Sequence, residues 1–362
     1  MLVEQRHQFI LRELERNGSV SVTEMAQELG VSTVTLRHDV RELAGRGLLR
    51  RVHGGAIPLD AGSRPAPAPH ESGGERYALG MLVPASRLPY YFPDIIRGAQ
   101  EAARARGVRI AVAFSRENAD EDRGQLAQLQ KAGVDGVMLS PASHPASSPE
   151  TERWINELDL PVVLVERLAG LATRAEQVAS DHARGAYLAV AHLASLGRRR
   201  IGLLSQQTPT HPRLLAGFEQ AIQDHGLEPA PVHVVPAGDD HDTDAVDAQV
   251  ARYLDTVTSA GVDALLVHND RNAISLVRTA LARGISVPAD LAVVSYDDEV
   301  ASLADVPLTA VSPPRHAVGA TAVNMLIDRL DGSDEPERRL LLAPRLVIRE
   351  SCGAREASGS RP

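Results

Sequence analysis

Leu79-Gly-Met-Leu-Val-Pro84, then Ile96-Arg-Gly-Ala-Gln-Glu-Ala102, then the apolar run Val108 to Phe114, set the fold. The first run is strand-sized. A helical pattern spans Pro93 to Arg106, and a second strand follows at once. The same alternation continues down the chain. Val134 to Leu139, Pro161 to Val165, Arg200 to Leu204, Ala264 to Val267 and Leu291 to Ser295 read as strands, with a helix around Asp120 to Ala132. Short apolar runs alternating with helical patterns predict parallel sheets flanked by helices, an α/β architecture.

The chain has 362 residues, which suits two or three domains rather than one core. It is 43% hydrophobic and 23% charged, an ordinary globular balance. Aromatics are scarce at 3%, so the core must rest on Ala, Val, Leu and Ile. Runs such as Val162 to Val165 fall far short of the ~20 apolar residues that span a bilayer. No basic segment followed by an apolar stretch opens the chain, and a single cysteine, Cys352, excludes a disulfide framework. A cytoplasmic protein without membrane contact is expected.

Charge is unevenly spread. The whole chain carries −9, yet residues 1–58 hold 8 Arg against 7 acids, and 37–53 hold five arginines against two acids. An acidic body with one basic surface lets that surface alone approach phosphates. A Pro-, Gly- and Ser-rich stretch at 59–76 separates the two parts as a linker. Residues 353–362 read as a frayed tail.

The amino-terminal part, 1–58, reads as three helices and a hairpin. Phe9, Ile10 and Leu14 share a face with Val3. Ser21 caps a second helix with Met25, Ala26 and Leu29 apolar, and Gly30 ends it. Ser32 caps a third helix whose Leu36, Val40 and Leu43 face inward. Helix, glycine turn, helix is the helix-turn-helix pattern, and Leu48 to Ala56 adds a β wing turning on Gly54-Gly55. Ser32, Thr33, Thr35, Arg37, His38 and Arg41 on the third helix, with Arg51 and His53 in the wing, are the candidate contacts to double-stranded DNA. Arginine reads guanine edges, and Ser or Thr at a helix start holds phosphate. By periodicity alone a three-helix domain with a solvated charged face fits equally well.

The stretch Leu29-Gly-Val-Ser-Thr-Val-Thr-Leu-Arg-His-Asp39, with Gly47-Leu-Leu-Arg-Arg-Val-His-Gly-Gly-Ala56, resembles the DeoR-family winged helix-turn-helix across nearly the whole segment. That family usually has two basic residues before the aspartate; here they are Arg37 and His38. The resemblance implies operator DNA as a partner.

In a parallel sheet, ligands bind at the carboxyl ends of strands. Ser86-Arg87, Ser115-Arg116, Glu166-Arg167, Asn269-Asp270 and Asp297-Asp298 stand there, rich in groups that hydrogen-bond vicinal hydroxyls. Helix capping is the other use of such residues. Capping is the favoured role for Asp270, and ligand contact for Asn269 and Asp297.

Residues 77–352 resemble the effector domain of the lactose/galactose-repressor family, itself similar to periplasmic sugar-binding proteins. Beyond the opening stretch, Gly133-Val-Asp-Gly-Val137, Leu196-Gly-Arg-Arg-Arg-Ile-Gly202, Val287-Pro-Ala-Asp-Leu-Ala-Val-Val-Ser-Tyr-Asp-Asp298 and Arg349-Glu-Ser-Cys352 carry the likeness in the right order. It implies a two-lobed sensor that closes on a small polar effector such as a sugar, in a homodimer. It places Arg116, Glu166, Arg213, Asn269 and Asp297 in the cleft. Glu166 stands where the family commonly has Asp. Leu214 stands where its ligand-binding arginine usually sits, with Arg213 one residue earlier. The chain is expected to cross between lobes near 180, 297 and 331.

Two other classes share this scaffold. An enzyme that metabolises sugars on the same scaffold would need a Gly-rich phosphate loop, a Gly-x-Ser-x-Gly elbow or a regularly spaced metal set, and none is present. His211, His233, His241 and Asp239-Asp240 fit a hydrophilic loop better than a metal site. A stand-alone sugar-binding protein would not carry the DNA-binding head. The expectation is therefore a non-enzymatic, ligand-responsive transcription regulator, a repressor by resemblance, with no cofactor and no metal.

Overall fold

The computed structural model describes residues 76–85, 91–116, 118–143, 145–236 and 243–354, together with scattered residues between 6 and 57. The chain divides into two units, Met1–Gly74 and Glu75–Pro362. Among the described residues no helix is long and apolar enough to cross a membrane.

In the first unit the described residues within 6–14, 25–29 and 35–43 are helical. Ile10, Leu14, Met25, Ala26, Leu36, Val40 and Leu43 form one buried cluster. The spacing of 36, 40 and 43 puts one face of the third helix into that core, as the sequence predicts. Burying a leucine such as Leu36 contributes about 1.5–3 kcal/mol. A small antiparallel sheet completes the unit, in the order β1-β3-β2: β1 Val20–Ser21, β2 Arg50–Val52 and β3 Gly55–Ile57. The wing is there, and it has a third strand that the sequence did not announce. Ser21, expected only as a helix cap, pairs with Gly55. Asp39 is buried and accepts two hydrogen bonds from Arg6, Nε at 2.8 Å and a terminal nitrogen at 3.1 Å. That bidentate pair ties the first helix to the third.

The second unit has two lobes. The sheet of lobe 1 is wholly parallel, in the order β14-β8-β7-β6-β4-β5. Its strands are β4 Ala78–Pro84, β5 Arg109–Ser115, β6 Gly136–Leu139, β7 Val162–Val165, β8 Glu176–Ser180 and β14 Arg339–Leu342. Leu79, Met81 and Val83 point to one face and pack on helices α1 (Phe92–Ala105) and α8 (Arg315–Leu330). Leu82 points to the other face and packs with Leu126 and Leu129 of α2 (Ala119–Lys131) and Ile155 of α3 (Pro149–Asn156). Because both faces are covered, the strands read as continuous apolar runs. Helices α1 and α8 approach so closely that a Cβ on Gly98 would strike the His316 carbonyl and one on Gly319 the Ile95 carbonyl.

Lobe 2 has the order β10-β9-β11-β12-β13-β15, with only β15 antiparallel to its neighbour. Its strands are β9 Ile201–Gln206, β10 Val232–Val235, β11 Ala264–His268, β12 Ala292–Tyr296, β13 Thr309–Ser312 and β15 Arg345–Val347. Helices α4 (His182–Ser195) and α5 (His211–Asp224) cover one face, and α6 (Thr243–Ser259) and α7 (Asp270–Ala282) the other.

The chain crosses between lobes three times. The first crossing, at Asp181, is where the sequence put it. The others lie at Pro313-Pro314 and Ala343-Pro344 rather than near 297 and 331. After Asp297 the chain stays in lobe 2 to lay β13 beside β12. After α8 it stays in lobe 1 to add β14 to β8.

Candidate functional site

In the first unit, Thr35 is helical and half-buried, and Arg51 belongs to β2, paired with Ala56. Ser32, Thr33, Arg37, His38, Arg41 and His53 lie outside the described residues. The neighbour the sequence passed over is Asp39, whose pair with Arg6 fixes the inward side of the third helix.

In the second unit the carboxyl ends of both sheets meet around one buried polar chain. Glu166 follows β7 with a left-handed backbone, φ 55°. Its Oε1 accepts from the Tyr91 hydroxyl at 3.1 Å and the Ser180 hydroxyl at 2.7 Å. Its Oε2 accepts from the Ser180 backbone N–H at 3.1 Å and lies 3.3 Å from His182 Nε2. Those donors fill the roughly four acceptor positions of a carboxylate. His182 opens α4, just past the first crossing, and its Nδ1 lies 3.0 Å from the hydroxyl of Tyr296, the last residue of β12. With a proton on Nε2 the ring donates to Glu166, and Nδ1 meets the Tyr296 hydroxyl. A continuous chain, Tyr91–Glu166–His182–Tyr296, thus links the lobes.

The electrostatics follow from burial. Desolvation works to raise the Glu166 carboxyl, but the hydrogen bond and charge of His182 and the two bonds from Ser180 outweigh it and hold the group below the usual carboxylate range. Burial, then the Glu166 charge, then the Asp297 charge push Tyr91 well above its ordinary value. For Tyr296 the order is burial, Asp297, Glu166. Asp297 therefore acts on a tyrosine from each lobe. It has φ 107°, its N–H donates to the Val311 carbonyl at 3.0 Å, and its carbonyl accepts from Arg315 at 2.7 Å. Arg315, the first residue of α8, also pairs with Glu299 at 2.8 Å and sits 5.5 Å from the centre of the Tyr91 ring. An arginine of lobe 1 thus grips the loop after β12 in lobe 2.

The cap expected of Asp270 is made by Asn269 instead. Asn269 is the N-cap of α7, its side-chain oxygen accepting from the N–H groups of Arg271 at 3.2 Å and Asn272 at 3.5 Å. Its amide nitrogen lies 3.5 Å from Gln206 at the end of β9. Asp270 is buried and instead accepts from Ser295 and from the N–H groups of Glu299 at 2.6 Å and Val300 at 3.0 Å. An aspartate one residue inside the helix points away from its own first turn, so it braces the loop that carries Asp297.

Arg116 and Arg213 have exposed side chains. Leu214 is fully buried in lobe 2. Arg167 donates to the Pro141 carbonyl at 3.0 Å and braces that loop. His211 bonds Ser205 at 2.9 Å, and desolvation lowers its pKa. His233 stacks on Tyr253. Ser86-Arg87, Asp239-Asp240 and His241 lie outside the described residues. Among the described residues no three His, Cys, Asp or Glu side chains are grouped to hold a metal ion. Sequence reasoning missed Tyr91, His182, Tyr296 and Arg315. Only the strand-end position of Tyr296, directly before Asp297, could have signalled one of them.

A two-lobed parallel-sheet sensor joined to a helix-turn-helix unit defines a class, the ligand-responsive regulators of transcription, and comparisons with known proteins agree. A profile described as DeoR-like helix-turn-helix domain matches residues 6–61, and one described as Periplasmic binding protein-like domain matches residues 190–352. The chain is 28% identical over 335 residues to the arabinose metabolism transcriptional repressor of Geobacillus stearothermophilus, covering 91% of this chain and 89% of that one. It is 25% identical over 338 residues to the HTH-type transcriptional repressor PurR of Photobacterium profundum, covering 91% and 98%. Among solved structures it is similar to a transcriptional regulator CelR–cellobiose complex, with TM-score 0.64, 25% identity and coverage of 89% and 91%. The chain thus joins a DeoR-like helix-turn-helix domain to a periplasmic binding protein-like domain, the composition of a DNA-binding transcription regulator.

Proposed function

We propose that this regulator is a cytoplasmic, non-enzymatic repressor that binds a two-fold operator as a homodimer and responds to a small sugar. Residues 1–58 form the head, 59–76 the linker, 77–352 the sensor and 353–362 a tail. Ser32, Thr33, Thr35, Arg37, His38, Arg41, Arg51 and His53 make the DNA contacts. Asn269 and Asp297 take effector hydroxyls. Glu166 anchors the opposite wall of the cleft, and Arg116 and Arg213 stand at its rim.

The observation that carries this reading is the pair of carboxylates, Glu166 from lobe 1 and Asp297 from lobe 2, acting on the same two tyrosines across the first crossing. Such a cleft offers the Asp297 carboxylate and the Asn269 amide to vicinal hydroxyls and tyrosine rings to the apolar face of a sugar, the pattern of a neutral sugar. The likeness to an arabinose metabolism repressor and to a cellobiose-bound regulator supports a sugar as the effector. Closure on the effector shifts a pre-existing equilibrium between open and closed lobes, and a coupling of ~1–3 kcal/mol is enough for a switch.

The test is thermal unfolding of the full chain across a panel of pentoses, hexoses and disaccharides, with operator binding measured in parallel. One member of the panel should raise the melting temperature saturably and alter operator affinity. A flat panel combined with intact operator binding refutes the sugar assignment. Turnover of any panel member refutes the non-enzymatic one.

A further inference from the structure

Two consecutive residues after β12 have left-handed backbones, Asp297 at φ 107° and Asp298 at φ 56°. Residues with side chains rarely adopt this region, so the surrounding structure must hold them there. Asp298 is held through its side chain, whose Oδ1 accepts from Arg349 at 2.7 Å. Glu299 and Val300 are held by Asp270, which accepts from both of their N–H groups. These anchors all belong to lobe 2.

Asp297 is anchored across the lobes. Its N–H donates to the Val311 carbonyl at 3.0 Å, and its carbonyl accepts from Arg315 at 2.7 Å. Val311 lies in β13, beside Tyr296 of β12, in the sheet of lobe 2. Arg315 opens α8, which packs in the core of lobe 1. Between them runs Ser312-Pro313-Pro314, the second crossing. The two peptide groups that flank the Asp297 side chain are thus fastened on opposite sides of a hinge segment.

Glu166 has the same local geometry without that property. Its φ is 55°, its N–H donates to the Val178 carbonyl at 3.0 Å, and its carbonyl accepts from Arg167 at 3.1 Å. A strand carbonyl and an arginine again hold a left-handed acid, but Val178 and Arg167 both lie in lobe 1. Rotation of one lobe on the other leaves the anchors of Glu166 in place and changes the spacing of those of Asp297.

Arg315 has little freedom to follow lobe 2. Its side chain is 7% exposed, and one terminal nitrogen serves both the Asp297 carbonyl and Glu299, the latter at 2.8 Å. The guanidinium lies 5.5 Å from the centre of the Tyr91 ring, a lobe 1 residue. The two prolines before it restrict the backbone that leads into α8.

We propose that Arg315 is a positioning residue for the effector site: from lobe 1 it holds the Asp297 peptide in its left-handed conformation, so that the angle between the lobes sets the direction of the Asp297 carboxylate. This role rests on Asp297 taking an effector hydroxyl, as proposed above.

The experiment compares the full chain with Arg315→Met, Arg315→Lys and Glu299→Ala by amide hydrogen exchange and by titration with arabinose and cellobiose. Arg315→Met should speed exchange at Asp297, Glu299 and Val300 by about tenfold or more, the loss of one charge-assisted bond, while α1 and the rest of α8 stay as protected as in the parent. Arg315→Lys should keep part of the protection, and Glu299→Ala, which leaves the bond from arginine to carbonyl, most of it. Whichever sugar binds the parent should bind Arg315→Met about tenfold more weakly. In an Asp297→Ala background the same substitution should cost nothing further, because the arginine acts through Asp297. Unchanged exchange at 297–300 in Arg315→Met overturns the proposal, and so does a rise spread evenly over α1 and α8, which marks an unseated helix. Additive weakening in the double variant also overturns it, since Arg315 would then touch the sugar itself. If neither sugar binds the parent, the sugar assignment fails on its own, and the exchange result still decides whether Arg315 holds the Asp297 peptide.

Discussion

Glu166 and Asp297 occupy equivalent places in the two lobes. Each is the acid that follows a central parallel strand, and each has a left-handed backbone. Their surroundings differ. Glu166 is enclosed by the donors of Tyr91, Ser180 and His182, so its charge is used inside the protein. Asp297 is held by its backbone, through Val311 and Arg315, and its charge acts on the tyrosines of both lobes. The same local pattern thus yields a strut between the lobes at Glu166 and, by the function proposed above, a group that takes an effector hydroxyl at Asp297.

The sharpest way to break this contrast is to remove the strut. Glu166→Ala strands several buried donors, and breaking a buried pair costs about 3–5 kcal/mol. Denaturant unfolding should show a loss of that size. A loss under 1 kcal/mol would mean that Glu166 is not the strut between the lobes. Next, Asp297→Ala should change stability little but weaken effector binding by about 1–3 kcal/mol, one unmatched hydroxyl. Titration of the effector and the melting curve of the same sample distinguish the two effects.

Asn269→Ala should cost about 1 kcal/mol of stability through the lost cap, besides weakening the effector. Asn269→Asp should restore the cap and not the amide donor. The smallest effect is that of pH. Glu166 titrates below its ordinary value in the folded state, so its contribution is present above about pH 4.5 and is lost as pH falls through the folded value. Unfolding free energy should therefore decline on acidification, and Glu166→Gln should flatten that decline below pH 4.5. An unchanged slope would mean that other carboxylates carry it.

Much of this was legible in the sequence, for a physical reason. Strands such as Ala264–His268 are buried on both faces and stand out as short apolar runs, and the third helix of the head shows its stripe at 36, 40 and 43. Strand ends could be located, and so could the acids on them. The partners could not. His182 meets Tyr296 across 114 residues of chain, and no spacing rule reaches that far. Strand β1 is two residues long and exists only because β3 lies beside it. The capping roles of Asn269 and Asp270 differ by one position, which is within the uncertainty of any helix boundary. The crossings at 313 and 343 went unseen because proline-bearing segments between strand and helix read equally well as loops within one lobe.

The close seat of α8 on α1 has a consequence for how the sensor is made. Gly98 and Gly319 let a helix from near the carboxyl end pack on the first helix of lobe 1, and β14 then adds to the same sheet. Lobe 2 likewise waits for β15. A ribosome must deliver the 221 residues from Gly98 to Gly319 before α8 can seat on α1, and by then all strands of lobe 2 but β15 are already out. The nascent chain therefore holds an unfinished apolar face on lobe 1 through most of synthesis, and a message truncated before Arg339 yields two incomplete sheets rather than one finished lobe.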